Sequence, residues 1–257
     1  MASERNRILD LVQYIESCGV EVNIGKNKAR GNKGFFKATK KSFRIDIAKN
    51  QSEESILRTL AHEFAHYVHY QHDRTLMSLS FIFDESDEIT EELILATVAT
   101  IPKKTVQPIF DLESTLKKEI KNLKSELKLI GCDFKSIEYE IKNKPYKYLL
   151  KHDRVKVQEG FNIKYYSIDS LQIDDKELLY LKYCSKKRAL NRVRSRISKL
   201  NGYYNAPTEL FARSFELYVA QKESLLKVSP RIYEMYEKNI HAVKNPLLTN
   251  FVKISSN

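Results

Sequence analysis

Four of the six histidines in this 257-residue chain fall between positions 62 and 72. Two of them frame the string His62-Glu63-Phe64-Ala65-His66. Imidazoles at i and i+4 of a helix project from one face, and both can reach a single tetrahedral Zn²⁺ at about 2.0–2.1 Å. Glu63, beside His62, can lean over an open coordination position and take the proton of a water that the metal acidifies. Two histidines leave such an ion underligated, so a third protein ligand is required.

Several residues compete for that place. His72 stands where a longer histidine pattern would put its third ligand, but His69 occupies the position at which that pattern needs a helix-breaking glycine. His69 itself continues the stripe, yet a rigid helix carries it about 4.5 Å beyond His66, which suits a supporting or solvated role. Glu85, Glu88, Glu91 and Glu92 form an acidic stretch at the start of the next helix. Glu209, in Thr208-Glu209-Leu210-Phe211-Ala212-Arg213-Ser214-Phe215-Glu216, lies in the first turn of a helix whose other positions are apolar, a place where the helix dipole alone already favours an acid.

The elements that must position these groups are legible in the periodicity. Ile56, Leu57, Leu60, Ala61, Phe64, Ala65 and Val68 make one apolar stripe after the polar start Asn50-Gln51-Ser52-Glu53-Glu54, which predicts a long helix from about Ser52 to about Gln71. Before it come a helix through Ile8, Leu11, Val12 and Ile15, closed by Gly19, and strands at Val20–Ile24, Phe35–Ala38 and Phe43–Ile47. The basic, glycine-containing spacer Gly25 to Gly34 reads as a hairpin loop. Either of the last two strands could offer an edge to an extended peptide. Further helices are predicted from Asp87 to Thr100, ended by Pro102, from Pro108 to Ile130, and from Asp175 to Leu200, where Asn201-Gly202 should end it. Residues 131–173 are irregular apart from a strand at Ile163–Ile168, and Asn205-Ala206-Pro207 opens a helix with Phe211, Phe215, Tyr218 and Val219 as its buried face. The seam of Leu116, Ile120, Leu123, Leu127 and Ile130 suits a helical hairpin within the chain. The expected fold class is α+β: a helix, a small mixed sheet and the histidine helix, then a mostly helical insertion and C-terminal helices. The expected division is 1–84 for the core, 85–175 for the insertion and 176–257 for the segment that completes the site.

Composition narrows the function. Seven glycines and the absence of a glycine-rich phosphate loop argue against nucleotide chemistry. Three scattered cysteines offer neither a disulfide framework nor a thiolate metal site. No apolar run approaches the length a membrane helix needs, and the N-terminus has no secretory pattern, so a cytoplasmic location and no membrane partner are expected. The net charge of +11 is regional: residues 1–100 carry 13 basic and 15 acidic groups, the remainder 31 and 18. Between Leu178 and Thr208 there are eight Lys/Arg and no acid, which suits a solvated helix face, phosphate-backbone binding or attraction of an acidic polypeptide.

The His62–His66 helix following a helix and small sheet resembles the minimal zincin fold of gluzincin metallopeptidases, including the ImmA/IrrE-type proteases of mobile elements. The string from Glu209 to Phe215 resembles the third-ligand helix, E-x-F-A-x-x-F, of anthrax lethal factor catalytic domains and the clostridial Pro-Pro endopeptidases. Together the two regions span about 1–75 and 200–225. The resemblance implies zinc bound by His62, His66 and Glu209, Glu63 as general base, and hydrolysis of a protein or peptide substrate. An ImmA-like arrangement would instead take Glu92 as the third ligand. The lethal-factor-like proteases also carry an oxyanion-stabilising tyrosine seven residues before the ligand glutamate. Position 202 here is Gly202, and Tyr203 and Tyr204 follow it as candidates for that role. The favoured function is a cytoplasmic zinc endopeptidase. The alternative is a nucleic-acid-associated protein of a mobile element, with a structural or vestigial zincin core and the basic helix 178–200 as its contact surface.

Overall fold

The computed structural model describes residues 4–26, 33–84, 86–101, 103–159, 162–167 and 171–256. The chain divides into two units, one made of residues 1–101 and 201–257 and the other of residues 102–200. The boundaries therefore fall at 101/102 and 200/201, whereas the sequence had suggested 84/85 and 175/176.

The first unit is α+β. Helix α1 (Glu4–Ser17) precedes strands β1 (Val20–Lys26), β2 (Gly34–Ala38) and β3 (Phe43–Ala48), which form a mixed sheet in the order β1-β3-β2. Gly19 turns the chain out of α1 with φ +81° and donates its N–H to the Glu16 carbonyl at 2.9 Å, a left-handed conformation that glycine adopts without strain. The expected hairpin between β1 and β2 does not form. β1 pairs in parallel with β3, Val22 opposite Ile45, while β2 pairs antiparallel with β3, Phe36 opposite Ile45. Residues 27–32 of the spacer lie outside the described residues. The reason for the parallel pairing is burial: Ile45 and Ile47 are fully enclosed, and a central position gives their strand neighbours on both sides. Phe43–Ile47 is thus no edge, and β2 is.

Helix α2 (Glu53–His72) packs on β2 and β3 and against helix α7 (Pro207–Ala220). Ser52 caps α2 by accepting from Ser55 N at 3.3 Å, as its polar start predicted. Pro207 opens α7 at its first turn, where a missing N–H costs nothing. Helix α3 (Asp87–Thr100), also in this unit, packs against α7, α8 (Lys222–Val228) and α9 (Pro230–His241), and α10 (Pro246–Ser256) packs on α1. One apolar core, including Leu11, Ile45, Leu60, Phe64, Phe211, Phe215, Tyr236 and Phe251, ties these elements together.

The second unit holds helices α4 (Lys103–Leu129) and α5 (Phe134–Lys142), a 3₁₀ turn at Lys147–Leu150, and the antiparallel strands β4 (Arg154–Glu159) and β5 (Asn162–Ser167). It also holds most of α6 (Asp175–Tyr204). The expected start of α4 at Pro108 is corrected to Lys103, with Pro108 inside the helix, and Pro102 lies outside the described residues. Ile168 of the expected strand is also outside them. Helix α6 does not stop at Asn201-Gly202 but continues to Tyr204. Leu127, Ile137, Ile141, Leu149, Tyr180 and Leu181 form the core of this unit. Several of the basic residues of α6 are already engaged within it. Arg188 and Arg192 reach Asp153 at 2.7 and 3.5 Å, Arg194 reaches Glu113 at 3.4 Å and Lys186 reaches Glu119 at 2.8 Å. Among the described residues no helix is long and apolar enough to cross a membrane.

Candidate metal centre

The site is built where α2 crosses α7. On α2 the two imidazoles one turn apart bring His62 Nε2 and His66 Nε2 to 3.2 Å. The Glu209 carboxylate, in the first turn of α7, lies 3.4 Å from His66 Nε2 and 3.6 Å from His62 Nε2. The 3.6 Å contact is to Oε2 and the 3.4 Å contact to Oε1, and one ligand atom from each of the three residues lies within 4.8 Å of the other two, close enough for a single ion to be shared among them.

One hydrogen bond and one ion-pair contact fix the outer nitrogens of the two rings. His66 Nδ1 is 2.8 Å from the Thr208 hydroxyl, and His62 Nδ1 is 3.3 Å from Glu216 Oε2. With a proton on each Nδ1, both Nε2 lone pairs point into the triangle, the tautomer a metal ligand requires. Glu209 Oε2 is buried and has no hydrogen-bond partner. Its neighbour of opposite charge is Arg213, Nε at 3.4 Å without a formed hydrogen bond, and a cation between the imidazoles and the carboxylate would add the partner that this oxygen lacks. The donor set of two imidazoles and one carboxylate suits Zn²⁺.

A layer of polar residues holds these groups. Arg58 Nε donates to Glu216 Oε1 at 2.9 Å, fixing the carboxylate that orients His62. Arg213 Nε stands 3.4 Å from Glu209 Oε2, and its guanidinium lies over the Tyr204 ring at 4.9 Å. Burial opposes charge on His62, but the Glu216 carboxylate beside Nδ1 and the charges of Glu63 and Glu209 outweigh it and raise its pKa. Burial likewise opposes ionisation of Glu209, yet His66, His62 and the Tyr203 hydroxyl bring its pKa down to about 2. Thr208, Glu216 and Arg58 were not singled out from the sequence. Thr208 immediately precedes Glu209, Glu216 lies two turns further along α7, and Arg58 lies one turn before His62. Helical periodicity around the candidate ligands was the one signal available.

Glu63 points to the sheet. Lys33 carbonyl accepts from Ala48 N at 2.8 Å, so in this antiparallel pair the N–H and C=O of Gly34, Phe36 and Ala38 turn away from β3. Phe36 N–H accordingly donates to Glu63 Oε2 at 2.7 Å. Gly34 lets the strand come this close. A Cβ there would overlap Thr59 Cγ2 and sit 2.8 Å from Glu63 Oε1.

A cleft of about 280 Å³ opens beside these groups, with Gly34, Phe35, Phe36, Leu76, Tyr203 and Thr208 completing its lining around His62, Glu63, His66 and Glu209. Tyr203 is thus brought to the site. Burial, with the neighbouring Glu209 charge, raises its pKa, so the hydroxyl keeps its proton. Tyr204 does not line the cleft but stacks under Arg213.

The competing ligands are placed elsewhere. Glu92 Oε2 accepts from Arg231 N and Ile232 N at 2.9 and 3.2 Å and so caps α9. Glu88 pairs with Arg231 at 2.7 Å, Glu91 is exposed, and Glu85 lies outside the described residues. His72 stacks on Phe81 with ring centroids 4.6 Å apart and meets Asn245 Nδ2 at 3.0 Å. His69 is fully buried with Nε2 2.9 Å from the Ser78 carbonyl. Among the described residues, His62, His66 and Glu209 form the one group of three or more His, Cys, Asp or Glu whose ligand atoms come within metal-binding distance of each other. No protein-family model, curated protein or solved structure matches the chain.

Proposed function

We propose that this chain is a zinc-dependent endopeptidase. The observation that carries the reading is the convergence of His62 Nε2, His66 Nε2 and the Glu209 carboxylate, whose two oxygens lie 3.6 and 3.4 Å from the respective imidazoles, with Glu63 beside them on an open cleft. Zn²⁺ held by these three residues would supply a Lewis acid for a carbonyl oxygen and would acidify a water molecule.

The protein's own groups have definite tasks. Glu63, steadied by the Phe36 amide, takes a proton from the attacking water and returns it to the leaving amine. Tyr203, protonated throughout the neutral range, donates its O–H to the carbonyl oxygen as negative charge builds there. Thr208 and Glu216 hold the two imidazoles in the metal-binding tautomer. The open side of β2, where Gly34 and Ala38 present backbone groups, supports an extended polypeptide as substrate.

The test joins metal analysis to hydrolysis of a peptide library. Zinc-supplemented protein is expected to carry about one zinc per chain. Glu63→Gln should keep that zinc while cleavage falls on the order of 10²–10⁴-fold. No zinc in the wild type, or equal cleavage by the variant, would overturn the proposal.

A further inference from the structure

The loop after α2 is built in an unusual way. Leu76 has φ +58°, a left-handed backbone that L-residues other than Asn and Asp seldom adopt. Such conformations persist where the surroundings enforce them, and they concentrate at functional sites. Here the enforcement comes from Asp73. Its carboxylate accepts from Thr75 Oγ1 at 2.6 Å, Thr75 N at 2.8 Å, and Met77 N and Ser78 N at 2.9 Å each, while its carbonyl accepts from Leu76 N at 3.0 Å. The buried His69 secures the far end of the loop through the Ser78 carbonyl.

This scaffold turns neighbouring side chains in different directions. Met77 is left 69% exposed, whereas Leu76 lines the cleft together with Gly34, Phe35 and Phe36. The ionisable members of the lining are His62, Glu63, His66, Glu209 and Tyr203, all already used at the metal centre. A carboxylate side chain seated against Leu76 would give up water and find no Lys or Arg in the lining, and an aliphatic one would bury its methyl groups.

We propose that Leu76 forms the wall of an apolar side-chain subsite and is a specificity-determining residue, selecting substrates with an aliphatic residue next to the scissile bond. The inference rests on the endopeptidase reading. It can be tested by binding alone, with three hydroxamates identical except for an isobutyl, a carboxymethyl or no side chain, titrated into zinc-loaded protein by calorimetry.

The wild type should bind the isobutyl compound roughly tenfold or more tightly than the other two. Leu76→Ala should erase that preference without changing affinity for the compound lacking a side chain. Leu76→Gly removes the side chain and relieves the backbone strain together, so it should melt no lower than wild type and show the same loss. Equal affinities in the wild type, or a preference that survives Leu76→Gly, would overturn the subsite and leave the endopeptidase proposal standing. Protein that takes up no zinc would overturn both.

Discussion

Helix α2 carries histidines into two different surroundings, His62 and His66 in its middle and His69 and His72 in its last turn. His62 and His66 stand among carboxylates and a hydroxyl at an open cleft, while His69 and His72 stand among the rings of Phe81 and Phe211. The electrostatic outcome follows the company. The pKa of His62 is raised, because its three neighbouring glutamates outweigh burial. The pKa of His69 is lowered, because burial outweighs its hydrogen bond to Ser78, and burial lowers that of His72 as well. The first pair could share a cation with Glu209, whereas His69 is enclosed in the core and His72 lies against Phe81 at its exposed margin. The helix sets the spacing, and the segments packed on it, Thr208–Glu216 around His62 and His66 and Ser78–Phe81 around His69 and His72, set the surroundings.

Substitution along the helix sharpens this contrast. His62→Ala and His66→Ala should each abolish stoichiometric zinc binding. His69→Ala should retain about one zinc per chain but lower stability on the order of 2 kcal/mol, from a lost buried side chain and an unpaired carbonyl. Metal analysis and denaturant unfolding on the same samples separate the two. Zinc lost from the His69 variant at full stability would dissolve the distinction.

A smaller effect is expected one layer out. Glu216→Ala and Thr208→Ala should weaken zinc about 10–100-fold by freeing the imidazoles they orient. Asn245→Ala, which releases His72 instead, should leave zinc affinity unchanged. Competition against a chromogenic chelator measures all three.

The smallest effect is in the pH dependence of the zinc-free protein. A raised folded pKa means that His62 contributes stability below its ordinary value of 6.5 and loses it as pH rises through the folded value. A lowered one means that His69 contributes stability above 6.5 and loses it as pH falls. Removing His62 should therefore flatten the alkaline side of the stability profile, and removing His69 the side below 6.5. Thermal melts across pH 5–8 check the sign, and slopes that change on the same side would contradict it.

What the sequence disclosed was local. The spacing of His62, Glu63 and His66 and the apolar stripe around them are properties of one helix, so the element and the shared face of the two imidazoles could be read. Glu209 was legible only as one candidate among several, because its approach to His66 is made by folding and not by spacing. Thr208, Glu216 and Arg58 were missed for the same reason. Strand order was misjudged because alternation marks a strand without saying which partner it takes, and β1 chose β3 across an intervening strand. The end of α6 was misplaced because Asn201-Gly202 is a common stop, yet nothing crowds Gly202 and the helix runs on at a cost of about 1 kcal/mol. Its continuation carries Tyr203 to the cleft lining.

The contact at Gly34 has a consequence for how far this cleft could drift over generations of sequence change. β2 is bonded to β3 on one side and touches Glu63 through Phe36 on the other. A methyl group at position 34 would meet Thr59 and Glu63 at once. Relief would require the strand to lift from the helix, breaking the amide hydrogen bond to Glu63 and widening the mouth in the same movement. The distance between strand and Glu63 is thus gauged by an atom that is missing, and every residue larger than glycine would reset it.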